Sequence, residues 1–126
     1  MFTKVGQIML YVNNQDESLK FWTDQLGFTV VSEENMGQGM RWIEIAPKEG
    51  AETNIILHNK EFVAKMSPEL NLATPSLMFF TENLEQLHSD LLKKNITVGE
   101  IVNMPSGRVF NFADNEDNYF AVMERN

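Results

Sequence analysis

The chain has 126 residues, no cysteine and only two histidines. The absence of cysteine excludes disulfide bonds, thiolate nucleophiles and cysteine-ligated zinc, and it is typical of a cytoplasmic protein. No apolar run approaches the roughly 20 residues that a membrane-spanning helix needs, and the N-terminus lacks a signal-peptide pattern. We therefore predict a cytoplasmic protein without a membrane partner.

Basic residues are also scarce, since 10 Lys and Arg stand against 18 Asp and Glu, giving a formal net charge of −8 at pH 7. Nucleic acids attract basic surfaces, so this balance argues against a nucleic-acid partner. The acidic surface could favour cationic ligands, or it could serve solubility alone. Apolar residues are plentiful at 43% of the chain, which is enough for a single domain spanning 1–126.

One pattern occurs twice in the chain, and it predicts the architecture. Adding 69 takes Met9 to Met78, Tyr11 to Phe80 and Asn14 to Asn83. In each copy an alternating strand pattern precedes an Asn that can cap a short amphipathic helix, and a returning strand follows. Two further strand patterns complete each copy. The predicted fold class is α+β, with two tandem β-α-β-β-β modules at about 1–60 and 74–126. A crossover at about 61–73 joins them, with a helical turn at 61–66.

Two segments carry a resemblance to a known family. With the tandem modules, SLKFWTDQLGF at 18–28 and FADNEDNYFAVME at 112–124 make the chain similar to the vicinal oxygen chelate superfamily of glyoxalases, bleomycin-resistance proteins and dioxygenases. The resemblance implies a curved mixed sheet around a cleft, and it implies a homodimer.

The resemblance also implies where a catalytic metal would be bound. The four ligand positions fall on Gln7, Ile56, Ser76 and Val122. Isoleucine and valine have no lone pair to offer a cation, and serine is a poor ligand for a transition metal. Because a catalytic metal needs about three protein ligands, we predict no metal and no other cofactor. Ile56→Glu, Ser76→His and Val122→Glu together are predicted to create metal affinity.

The strand alternation predicts which residues line the cleft and bind a ligand. They are Gln7, Met9, Tyr11, Trp42, Glu44, Ile56, Ser76, Met78, Phe80, Phe110 and Val122, with Phe112 beside them. An aromatic surface with methionines suits an apolar or planar small molecule. The alternative is that these residues form an ordinary core, as aromatic strand faces usually do.

His58 is the candidate catalytic residue, because the repeat spacing pairs it with Glu124. A histidine and a carboxylate facing each other could act as general base and orienting group. The alternative is a histidine at a strand end that makes only local contacts.

Three functions remain open from the sequence. The first is a metal-free protein that binds a small hydrophobic or cationic compound in an aromatic cleft. The second is a lyase, isomerase or dioxygenase of the same superfamily that uses a displaced metal site or the His58 and Glu124 pair. The third is a structural or regulatory dimer. The missing metal ligands favour binding over catalysis.

Overall fold

Two units make up the residues that the computed structural model describes, Met1 to Arg125: the first is Met1–Pro75 and the second begins at Ser76. Each unit has one four-stranded mixed sheet and a β-α-β-β-β order of elements. The predicted α+β fold with tandem modules is therefore confirmed. Within residues 1–125, no helix has the length and apolar character needed to cross a membrane.

The first unit contains four strands and two helices. In chain order these are β1 Gln7–Val12, α1 Gln15–Lys20 continuing into a π-helical turn Phe21–Gln25, β2 Thr29–Asn35, β3 Arg41–Ala46, β4 Asn54–Asn59 and α2 Lys60–Met66. The sheet order is β1-β4-β3-β2, and β1 runs parallel to β4 while the other neighbours are antiparallel. The helical turn expected at 61–66 is thus present as α2.

Local signals position α1 on the sheet. The Asn14 side chain accepts a hydrogen bond from the backbone N–H of Glu17 and caps the helix. Trp22, in the π-helical turn, is fully buried. Gly27 follows with φ of 79°, a left-handed conformation that glycine adopts at no steric cost. The chain then turns into β2, an edge strand whose residues are all exposed.

The two faces of the first sheet differ in what covers them. Leu10, Ile43 and Leu57 are fully buried and share the face on which α1 lies. The buried Gln15 of α1 donates from Nε2 to the backbone carbonyl of Arg41 at 2.7 Å and to that of Leu57 at 2.9 Å. We call this side of a sheet the helix-bearing face and the opposite side the open face.

The second unit repeats this plan with one helix. Its elements are β5 Met78–Thr81, α3 Leu84–Lys93, β6 Val102–Met104, β7 Gly107–Ala113 and β8 Tyr119–Glu124. The sheet order is β5-β8-β7-β6, and β5 runs parallel to β8. Asn83 caps α3 by accepting from the N–H of Gln86, and Asn95 follows the helix with φ of 61°.

Candidate ligand-binding site

The open face of the first sheet carries an aromatic row that crosses three strands. Tyr11 on β1 pairs with His58 on β4, and His58 pairs with Trp42 on β3. All three side chains are half-buried. Neighbouring strands are about 4.8 Å apart, so the row spans roughly 10 Å. A surface of this width can support a planar ring system by stacking.

His58 is held inside this row by two contacts. Its ring stacks on Tyr11 with centroids 5.8 Å apart and an interplanar angle of 21°. Its Nε2 lies 3.2 Å from the Sδ of Met9. Burial lowers the pKa of His58 below 6.5, because a charged imidazolium loses hydration there. The imidazole is therefore mainly neutral at pH 7 and presents an aromatic surface rather than a cation.

A polar corner lies on the same open face, beside the aromatic row. Glu44 on β3 accepts from the side-chain amide of Asn54 at 2.8 Å and from the hydroxyl of Ser32 at 3.3 Å. The Oδ1 of Asn54 is buried and has no hydrogen-bond partner among residues 1–125. Glu44, Asn54 and Ser32 together form what we call the polar corner.

The open face of the second sheet is more exposed and largely apolar. Met78 and Phe80 on β5 are 48% and 65% exposed, and Tyr119 on β8 is 60% exposed. The guanidinium carbon of Arg125 lies 5.7 Å from the centre of the Phe80 ring, within the range of a cation–π contact.

Three residues predicted to share this open face lie on the helix-bearing face instead. Val122 pairs with Phe79 on β5 and with Phe110 on β7, whereas Met78 pairs with Ala121. Phe110, Phe112 and Val122 are each no more than 3% exposed. The Phe110 ring meets that of His88 on α3 edge-on, with centroids 4.9 Å apart. The predicted face of Phe110, Phe112 and Val122 was therefore wrong by one residue of register, and their role in ligand binding is no longer supported.

The same shift separates His58 from Glu124. Tyr11 pairs with His58, and its counterpart Phe80 pairs with Met123, so Met123 rather than Glu124 corresponds to His58. Glu124 accepts from both Nε and Nη2 of Arg108, at 3.2 and 2.9 Å, and from the N–H of Leu84 at 3.1 Å. These hydrogen bonds lower the pKa of Glu124. Glu124 thus anchors the start of α3, and the predicted repeat pairing of His58 with Glu124 was wrong.

Comparison with known proteins identifies the family. The sequence model of the Glyoxalase/Bleomycin resistance protein/Dioxygenase superfamily matches residues 4–122. The chain belongs to this superfamily. A relative in Bacillus subtilis strain 168, the uncharacterized protein YetH, is 29% identical over 125 residues, which cover 98% of this chain and 100% of YetH.

Solved structures of other proteins share the fold. TnmS3, an antibiotic binding protein from Streptomyces sp. CB03234, superposes with a TM-score of 0.82 at 21% identity, covering 99% of this chain and 98% of TnmS3. A superfamily member from Sphaerobacter thermophilus gives a TM-score of 0.82 at 22% identity, with 98% of each chain covered. At these identities the likeness shows the fold alone.

The metal that the glyoxalase superfamily implies does not fit the residues at the corresponding positions. Gln7 and Ile56 lie on the open face of the first sheet, but Ile56 is a hydrocarbon side chain. Val122 is also a hydrocarbon and lies on the helix-bearing face of its own sheet. Residues 1–125 contain no group of three or more His, Cys, Asp or Glu placed to hold a metal ion. The donor set cannot supply the three ligands that a catalytic divalent metal needs.

Sequence reasoning missed two arginine contacts that attach the helices to the sheets. Arg41 on β3 bridges Asp16 of α1 and Glu33 of β2, each at 2.8 Å. Arg108 on β7 bridges Glu85 of α3 and Glu124 of β8. The sequence signal that could have indicated these contacts is an arginine at the start of the third strand in both modules.

Proposed function

We propose that this protein binds a small planar compound, hydrophobic or cationic, on the open face of its first sheet, without a metal. The aromatic row of Tyr11, His58 and Trp42 carries the proposal. It offers ring surfaces on three adjacent strands, and Met9 adds a polarisable thioether in contact with His58. TnmS3, which shares the fold, is described as antibiotic binding, and this supports binding as a use of the fold.

The unsuitable metal positions favour binding over the metal-assisted chemistry of the superfamily. The enzymatic alternative would use either a displaced metal site or His58 and Glu124 as an acid–base pair. The ion pair of Glu124 with Arg108 and the place of Met123 opposite Phe80 favour binding over the acid–base form. Gln7, Ser76, Met78 and Phe80 remain part of the proposed binding surfaces, although the aromatic row is the part that the contacts support best. A cytoplasmic location and a homodimer also belong to the proposal.

Tryptophan fluorescence tests the proposal, because the two tryptophans lie in different places. Trp22 is fully buried in the core, while Trp42 is half-buried on the open face. Proflavine, coumarin and anthraquinone-2-sulfonate serve as planar probes of positive, neutral and negative charge. We expect at least one probe to bind saturably and quench fluorescence, and Trp42→Phe to abolish most of that quenching.

Affinity supplies the second readout. Loss of a stacking ring typically costs about 1 kcal/mol beyond its buried area, so Trp42→Ala is expected to weaken binding by about tenfold in calorimetry. Leu19→Ala, on the half-buried side of α1, changes the other face of the sheet and serves as control. The proposal fails if no probe binds with Kd below about 1 mM, a weak-binding threshold. It also fails if Trp42→Ala leaves the affinity unchanged.

A further inference from the structure

The polar corner offers mainly hydrogen-bond acceptors. The side-chain N–H of Asn54 and the hydroxyl of Ser32 both donate to Glu44. The oxygens that remain are the carboxylate of Glu44, which has further lone pairs, and the buried Oδ1 of Asn54. A buried acceptor without a partner costs free energy of folding. Because the Oδ1 of Asn54 is buried, a ligand that brings a donor would meet the Glu44 carboxylate.

The corner lies at a distance that a fused-ring ligand can span from the aromatic row. Glu44 is two residues along β3 from Trp42, and it pairs with Ile56 on β4. Two residues of a strand correspond to about 7 Å, and alternate residues point to the same face. Rings resting on Trp42 and His58 can therefore direct a substituent at their edge towards Glu44.

Charge decides which substituent fits. A carboxylate or sulfonate would face the like charge of Glu44, and a carbonyl group would meet mainly acceptors. An amine, ammonium or amidinium group would donate to the Glu44 carboxylate in a charge-assisted hydrogen bond. The aromatic row adds to this preference, because aromatic faces attract cations.

We propose that the ligand of this protein is a planar aromatic compound bearing an N–H donor group, with its rings on Tyr11, His58 and Trp42 and its donor on Glu44. This inference rests on the proposed function and specifies its ligand class. The polar corner beside the aromatic row then selects among planar compounds by their hydrogen-bond donors rather than by their size.

Calorimetry with two planar probes tests the inference on the wild-type protein at about 0.15 M salt, where general attraction to an acidic surface is screened. Proflavine carries amino groups and a positive charge, whereas anthraquinone-2-sulfonate has a similar ring system, acceptors only and a negative charge. We expect proflavine to bind at least tenfold more tightly. This comparison needs no variant, so it does not depend on the stability of any mutant.

Two isosteric variants locate the effect. Glu44→Gln is expected to lower proflavine affinity by tenfold or more, as loss of a charge-assisted bond does, and to leave the sulfonate unchanged or bound more tightly. Glu17→Gln removes the same charge from an exposed position on α1 and should change neither affinity. Unfolding midpoints of both variants are measured alongside.

The outcomes separate this inference from the proposed function. If both probes bind equally and only Trp42→Ala weakens them, the proposed function stands and the donor preference is refuted. If Glu17→Gln weakens proflavine as much as Glu44→Gln, the attraction is non-specific and the inference is again refuted. If neither probe binds, the inference fails, and the proposed function fails with it only if coumarin does not bind either.

Discussion

A pair of glutamate substitutions on neighbouring residues of β8 tests the register of the second sheet. Val122 is 3% exposed and lies between Phe79 and Phe110 on the helix-bearing face. Ala121, one residue earlier, is half-buried and pairs with Met78, which is 48% exposed. The two substitutions add the same charge on opposite faces of one strand, so each is the control for the other.

The expected difference is large. Burying an unpaired carboxylate carries an effective penalty of several kcal/mol, and Val122→Glu also gives up apolar burial. We expect Val122→Glu to lower the free energy of unfolding by at least about 3 kcal/mol, a large share of a typical total of 5–15 kcal/mol. Ala121→Glu keeps its carboxylate on the open face, and we expect a loss of no more than about 1 kcal/mol.

Urea denaturation followed by circular dichroism measures both values. At pH 4 the difference should shrink, because burial raises the pKa of a carboxyl group and the introduced side chain becomes neutral and less costly. If Val122→Glu were as stable as the wild type and Ala121→Glu were strongly destabilised, Val122 would lie on the open face. That result would refute the register, and it would restore Val122 as a candidate metal position.

Four further predictions follow from the ionisable groups and the open faces. Burial lowers the pKa of His58 below 6.5, so the unfolded chain binds the proton more readily than the folded chain. The contribution of His58 to stability should therefore be complete above pH 6.5 and fall as the pH drops below it. His58→Phe should remove this pH dependence of the melting temperature. Hydrogen bonds from Arg108 lower the pKa of Glu124 below 4.5, so stability should be complete above pH 4.5 and be lost as pH falls through the lowered pKa. Arg108→Met should weaken that acid dependence, whereas unchanged acid melts would contradict the role of this ion pair. Native mass spectrometry with nickel or zinc should detect no retained equivalent of metal. Tight retention that Gln7→Ala abolishes would overturn the conclusion that these residues do not fit a metal. Sedimentation at tens of micromolar, a practical concentration for a specific dimer, should give twice the mass of one chain, and a monomer would count against the homodimer.

The elements that sequence reasoning located correctly are those set by local signals. Asn14 and Asn83 cap the helices through bonds to backbone N–H groups three residues later, a spacing visible in the sequence. The left-handed conformations at Gly27 and Asn95 end the helical segments where glycine and asparagine are expected.

The face of β8 could not be read in the same way, because both of its faces are apolar. Val122 and Met123 are each buried, so a shift of one residue leaves the hydrophobic pattern almost unchanged and polarity does not fix the register. On β3 the alternation of the buried Ile43 with the charged Glu44 does distinguish the two faces. The open face of the first sheet was therefore predictable, and that of the second was not.

Contacts between distant parts of the chain were also beyond a sequence pattern. The approach of His58 on β4 to Met9 on β1 depends on which strands are neighbours. Strand order in the first sheet, β1-β4-β3-β2, brings these residues together although β1 and β4 are far apart in the chain.

The placement of the arginines explains how the open faces can differ while the fold stays the same. Arg41 and Arg108 each tie the first turn of a helix to the sheet from the helix-bearing face, through Asp16 and Glu85. These ion pairs therefore involve no residue of the open face. A hydrocarbon such as Ile56 can occupy that face without weakening the attachment of the helix. The first open face combines aromatic rings with a carboxylate, whereas the second presents Met78, Phe80 and Tyr119 without a carboxylate among them. In the proposed binding mode, selection for a donor group therefore depends on Glu44 of the first sheet.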